Sequence, residues 1–259
     1  MTAEPPPTTG PAWSNELLAA DVHAQSDKAV RVQAMFGAIA PRYDINNRLH
    51  SFGLDQRWRR AAVRLAAVDA TSDVVDIACG TGDLSEAFAA AGVRSVLGVD
   101  FTPQMLDIAR AKASGRRRRA NQPTIRYEAG DATKLTLADQ SADVVSIAFG
   151  IRNVGDAGQA LRECRRILRP GGRLVILEFS EPRNALIRAA NHLYTRQIMP
   201  WTATLISGDR SGAYRYLPRS VATFLTPEAL AAELRRAGFS AVSSHVLTLG
   251  VCTITVGRV

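Results

Sequence analysis

Residues 76–83 read DIACGTGD. The stretch follows a short apolar, β-branched run at 74–77 and leads into residues 84–91, which are rich in helix formers, so it reads as strand, glycine turn, helix. Gly80 and Gly82 let the backbone turn sharply and approach a ligand closely. The helix N-terminus behind them carries partial positive charge, which suits a carboxylate or a phosphate. A purely structural turn is the plainer alternative.

The same alternation continues along the chain. Residues 95–99 form a second strand pattern, after which Thr102 is a natural N-cap with Pro103 at the first helical position. Strand patterns recur at 125–128, 144–147 and 174–177, with a helix pattern at 157–168 and the turn Pro170, Gly171, Gly172 before the fifth strand. Strands that alternate with helices predict a parallel sheet covered on both faces. Residues 242–247 and 252–256 are joined by only four residues, too few for a crossover, so they predict an antiparallel pair. A mostly parallel, seven-stranded α/β sheet with an antiparallel last strand resembles the Rossmann-like class I methyltransferases.

Two acidic positions sharpen the reading of the loop. Asp76 opens the stretch, and twenty-four residues later Asp100 ends the second strand, where a carboxylate can accept hydrogen bonds from both ribose hydroxyls of a nucleoside. A dinucleotide fingerprint requires a third glycine where Ser85 stands. The pattern resembles the S-adenosyl-L-methionine motifs instead, with Gly130, Asp131 and Ala132 after the third strand at the adenine position. The expected cofactor contacts are Asp76, Gly80, Thr81, Gly82, Asp100, Asp131 and Ala132.

Upstream, residues 1–26 are proline-rich at the start, lack the basic and apolar layout of a secretory signal, and read as a disordered tail. Residues 27–39 and 54–68 are amphipathic and predict a helical cap spanning 27–70, with Pro41 ending the first helix. Residues 181–226 are apolar but irregular and predict a helical insertion over the strand ends, suited to a greasy substrate. Residues 27–259 therefore read as one domain.

The chain has 259 residues, 46% hydrophobic and 22% charged, which are ordinary globular values. Net charge is +8, compatible with nucleic acid, anionic lipid or an acidic ligand. The arginine run 116–119 reads as a solvated loop. Cys79, Cys164 and Cys252 are scattered, with no pair and no histidine at ligand spacing. They argue against a disulfide framework or a metal site and for a cytoplasmic protein. No stretch reaches the roughly 20 apolar residues of a membrane span, so membrane contact would be peripheral.

Four further segments carry a specific resemblance. YDINNRLHSFGLDQRW (43–58), FGIRNV (149–154), RILRPGGRLVILEFSEP (166–182) and YRYLPRSVATF (214–224) resemble, in order, the ubiquinone/menaquinone biosynthesis C-methyltransferases, the UbiE/MenG family. The resemblance runs from about Lys28 to the C-terminus. Asn46 stands where that family usually has Met, Asp55 where it often has His, and Ala148 where some members carry Ser. It implies methylation of a ring carbon of a prenylated quinol, demethylmenaquinol in preference to its ubiquinone-pathway analogue. A sulfonium methyl is already electrophilic, so the enzyme has to align the carbon and raise its nucleophilicity. A phenol with a pKa of about 10 needs a base, a relayed water or a cation for that. Arg152 and Asn153, after the fourth strand, offer a cation and an amide for the quinol oxygens, and Tyr43 and Asp44 are the other candidates, on a loop able to fold over the cofactor. His50 and His192 are set aside as surface or capping residues.

Two other classes fit less well. An RNA methyltransferase is suggested by charge alone, and FGIRNV stands where an Asn-Pro-Pro-Tyr type segment would be expected, so no nucleic-acid partner is expected. A non-catalytic cofactor- or lipid-binding module would use residues 186–206 as its amphipathic face. The sequence leaves the oligomeric state open.

Overall fold

The computed structural model describes residues 11–115, 123–209 and 211–259; the arginine run 116–119 lies outside them. Helices α1 (Asn15–Ala19), α2 (Lys28–Ile39), α3 (Tyr43–His50) and α4 (Leu54–Ala66) come first, followed by β1 (Asp73–Ile77), α5 (Asp83–Ala90), β2 (Ser95–Asp100), α6 (Pro103–Gly115) and β3 (Ile125–Ala129). Then come β4 (Ala142–Ala148), α7 (Ala157–Ile167), β5 (Leu168–Phe179), α8 (Ala185–Leu193), α9 (Met199–Ser207), α10 (Ala213–Ala222), α11 (Pro227–Arg236), β6 (Ser240–Leu247) and β7 (Cys252–Arg258).

The seven strands form one sheet in the order β3-β2-β1-β4-β5-β7-β6. The first five run parallel, and β7 is antiparallel to both β5 and β6. This is the expected α/β architecture. β1 lies at the point where the order reverses, flanked by β2 and β4, so the crevice beyond its carboxyl end is where a doubly wound sheet binds ligands. Strands buried on both faces explain the near-continuous apolar runs. Leu84, Phe88 and Val96 fill one face with Trp58 from α4, and Val75, Ile147 and Ile176 meet Leu161 and Leu234 on the other.

Three expectations need correction. Residues 11–26 are not a loose tail: Trp13 and Val22 are fully buried and the Trp13 ring is stacked on Tyr216 at 4.5 Å. A buried aromatic removes roughly 200 Å² from water and contributes about 5 kcal/mol, a contact that the polar composition around it conceals. Tyr43 and Asp44 are not on a loop. Pro41 sits in a 3-10 turn, Ala40–Arg42, whose first positions tolerate a missing N–H, and α3 starts at once. β5 begins at Leu168, before the Pro170-Gly171-Gly172 turn, which becomes an irregularity inside the strand as the register shifts between Ala142 and Val144 of β4.

Candidate active site

The glycine loop is fixed from below. The Asp76 carboxylate is 1% exposed and accepts hydrogen bonds from Ser85 Oγ at 2.6 Å and Ser146 Oγ at 2.7 Å. Burial raises its pKa to about 6, the two hydroxyls opposing that shift. Asp76 thus ties β1 to β4 and α5 and braces the loop; of the expected cofactor contacts it is one that lines neither of the two cavities described below. Gly82 is structural too. Its φ of +84° is left-handed, and a Cβ there would strike the Tyr127 ring and hydroxyl. Thr81, 3% exposed, donates its hydroxyl to Asp44 Oδ1 at 2.5 Å, which fastens α3 to the loop.

Gly80, Asp100, Asp131 and Ala132 face an inner cavity of about 810 Å³, its open mouth included. A Cβ on Gly80 would meet nothing within 4 Å, and its φ is +54°, so the backbone is left bare towards the cavity. Asp100 is held at the rim by the N–H groups of Gly80 and Thr102, both at 2.8 Å. Burial raises its pKa against these donors, and its carboxylate oxygens retain lone pairs for ribose hydroxyls. Ala78 after β1 and Phe149 after β4 are both left-handed, with φ of +52° and +57°. Such conformations cost free energy in non-glycine residues and concentrate at functional sites. Phe36, Tyr43 and Phe149 close the far side, and aromatic faces attract a cation such as a sulfonium. A bare loop, an acidic ribose partner and an aromatic wall together fit S-adenosylmethionine.

The same three aromatics also line an outer cavity of about 1330 Å³, open solvent included, roofed by α8, α9 and the turn between them. Its walls are apolar at Met35, Ile39, Trp58, Phe179 and Val221 and polar at a few points. Of the expected catalytic residues, Tyr43 lies on the wall shared by both cavities, Asn153 faces the inner one and Arg152 the outer one. Arg152 is committed within the protein: its Nη1 donates to Glu178 Oε1 at 2.6 Å and to the Phe149 carbonyl at 2.7 Å. Asn153 Nδ2 donates to that same carbonyl at 3.2 Å, while Asn153 Oδ1 accepts from the Tyr216 hydroxyl at 3.0 Å. Both side chains therefore hold the strained Phe149 in place. Burial raises the Tyr43 pKa, with Asn47, Arg59 and Arg152 opposing, so its hydroxyl stays protonated at neutral pH.

Sequence reasoning missed most of the outer cavity. Asn46, Asp55 and Arg59 line it, and Asn46 and Asp55 are the two positions at which the first signature departs from its family. The Asp55–Arg59 pair, 2.8 Å apart, was legible as an i,i+4 pair on a helix, although nothing in the spacing says that it points inward. His50 and His192 line the cavity as well, His50 bonded to Thr202 Oγ1 at 2.8 Å and His192 to Glu181 at 2.8 Å.

Comparison with known proteins agrees with this geometry. The model of the ubiE/COQ5 methyltransferase family matches residues 23–258. The chain belongs to the ubiE/COQ5 methyltransferase family. It is accordingly an S-adenosylmethionine-dependent methyltransferase. Among its relatives is the demethylmenaquinone methyltransferase of Thermus thermophilus, 48% identical over 224 residues, with 86% of this chain and 99% of that protein covered. The demethylmenaquinone methyltransferase of Deinococcus radiodurans is 46% identical over 234 residues, with 90% and 94% covered. The fold is shared with a solved S-adenosylmethionine-dependent methyltransferase of Thermotoga maritima, a possible histamine N-methyltransferase, at a TM-score of 0.60, 19% identity and coverage of 88% and 99%.

Proposed function

We propose that this family member methylates a ring carbon of demethylmenaquinol. One observation carries the reading: a nucleoside-type cavity and a large apolar cavity abut across Phe36, Tyr43 and Phe149, so a flat ring in the outer cavity meets the inner one edge-on. The names borne by the two relatives favour demethylmenaquinol over the ubiquinone-pathway quinol. S-adenosylmethionine, when bound, supplies an electrophilic methyl group. Gly80, Asp100, Asp131 and Ala132 hold the nucleoside. Tyr43 is a protonated hydroxyl beside the ring and donates a hydrogen bond to a quinol oxygen. Arg152 and Asn153 act through Phe149, which they pin by its carbonyl, and so set the distance between the two cavities. Apolar walls exclude the water that would compete for the methyl group.

The prenyl tail requires a way out, and the rim of the outer cavity offers one. Leu186, Leu193, Trp201 and Leu205 on α8 and α9 are more than half exposed, as is Phe52 beside them, its ring 5.7 Å from Tyr194. Residues 185–207 contain Arg188, Arg196 and no acid, a composition suited to an anionic bilayer surface. Among the described residues no helix is long and apolar enough to cross a membrane. In this reading the enzyme meets the membrane peripherally to draw a quinol by its head.

The test is purified protein with S-adenosylmethionine and a short-chain demethylmenaquinol kept reduced, beside the ubiquinone-pathway quinol, with products read by mass spectrometry. Ring-methylated menaquinol is expected. Turnover of the ubiquinone-pathway quinol alone would reverse the substrate assignment, and no product from either would remove it.

A further inference from the structure

The outer cavity holds a cation that the roles above leave unused. Arg59 is 7% exposed and lines that cavity. Its Nη1 donates to Asp55 Oδ2 at 2.8 Å, whereas among the described residues its Nε and Nη2 have no hydrogen-bond partner. Neither atom is among the sealed, unpartnered polar atoms of the interior, so both reach accessible space, which for so buried a side chain is the cavity. The guanidinium stands 5.5 Å from the centre of the Phe149 ring, on the wall across which the methyl group has to pass. Arg152 differs: its Nη1 and Nε are taken up by Glu178, the Phe149 carbonyl and Ser220, so that among the described residues only its Nη2 is without a hydrogen-bond partner, whereas Arg59 keeps both Nε and Nη2.

Asp55 aims the side chain. One helical turn before Arg59, it also accepts from Ser51 Oγ at 3.0 Å and Gln56 Nε2 at 2.9 Å, which fixes its own rotamer. The guanidinium fork therefore presents its free edge in one direction, the arrangement that oxyanion recognition requires.

We propose that Arg59, oriented by Asp55, binds the quinol oxygen next to the accepting carbon and stabilises it as an oxyanion. The inference rests on the quinol reading above and makes Arg59 a catalytic residue and Asp55 a positioning residue. The hydroxyl proton leaves to water at the cavity mouth, and the oxyanion pushes an electron pair into the ring. The ring carbon forms its bond to the methyl carbon as the methyl–sulfur bond breaks, that pair remaining on sulfur. Loss of the ring proton and reprotonation of the oxygen restore the quinol, with one proton released per turnover.

Two arms test this. In the first, kcat against pH is measured with demethylmenaquinol for wild type, Arg59→Lys, Arg59→Gln and the double variant Asp55→Asn/Arg59→Gln, which avoids leaving a buried carboxylate unpaired. Loss of a preorganised donor predicts a fall of about a hundredfold for Arg59→Gln and the double variant. Their acid limb moves to higher pH, Arg59→Lys is intermediate and cofactor affinity is unchanged. In the second, 1-naphthol is titrated in the presence of S-adenosylhomocysteine and its naphtholate absorbance is followed. Wild type is expected to ionise the bound naphthol at lower pH than in water, and both Gln-containing variants to lose that displacement. Unchanged kcat in a folded variant, or a fall in kcat with the acid limb unmoved, would overturn the proposal. So would naphthol ionisation in wild type no easier than in water, whether or not the variants fold. Failure of wild type to methylate any quinol would instead remove the substrate reading, a result separable from the naphthol arm.

Discussion

Asp76→Asn separates a loop brace from a ligand contact. The native carboxyl is fully buried, and its pKa is raised from 3.8 to about 6, burial outweighing the hydrogen bonds from Ser85 and Ser146. In the unfolded chain the group releases its proton near its ordinary value, while in the folded protein it holds the proton for about two further pH units. Its contribution to stability is therefore fully present below about pH 4 and is lost as pH rises through 6. At about 1.4 kcal/mol per pH unit the loss amounts to about 3 kcal/mol. Asparagine never ionises, and the hydroxyls of Ser85 and Ser146 can rotate so that one donates to the amide oxygen and the other accepts from its nitrogen. Urea unfolding at a series of pH values from 4 to 8 should show wild type and variant close together at the acid end. The variant should gain on wild type up to about pH 7 by up to about 3 kcal/mol and keep a constant lead beyond. Because Asp76 lines neither the inner nor the outer cavity, S-adenosylhomocysteine affinity should change little. A stability difference that does not depend on pH, or a variant that falls behind as pH rises, would refute the reasoning.

Other perturbations probe the remaining links. Arg152→Ala leaves Glu178 buried beside no cation and should cost about 3–5 kcal/mol of unfolding free energy, with turnover falling further as Phe149 loosens; denaturant titration alongside steady-state rates checks both. Thr81→Val removes the hydrogen bond to Asp44 and should cost about 2 kcal/mol and weaken cofactor binding, read by calorimetry, because among the described residues α3 is then tied to the loop only through Arg48 and Lys112 at Asp83. Trp201→Ser and Leu205→Ser should each weaken sedimentation with anionic vesicles by about tenfold, while turnover of a quinol lacking a prenyl tail stays as in wild type.

The sheet was legible because its signals are local. Val74 to Ile77, the glycine turn and the N-cap pair Thr102 and Pro103 each specify their own element, and the four-residue link before Cys252 permits only an antiparallel partner. That Asp100, Asp131 and Gly80 meet at one cavity was legible for the same reason, since carboxyl ends of parallel strands converge on one crevice. What failed depends on contacts distant in sequence. Trp13 is packed against Tyr216, and Asp76 is bonded across the sheet by Ser146. Arg152 is claimed by Glu178, and Arg59 lines the outer cavity from α4, a stretch whose spacing shows only that it is amphipathic. Periodicity shows that a helix has two faces, but the neighbour that covers each is decided elsewhere in the chain.

The central claim is tested most directly by incubating the purified protein with demethylmenaquinol and methyl-deuterated S-adenosylmethionine, then locating the label by fragment mass spectrometry and carbon NMR. The two abutting cavities predict an intact deuterated methyl group on the ring carbon of menaquinol. Label on a quinol oxygen, or cofactor binding with no labelled quinol at all, would contradict the account.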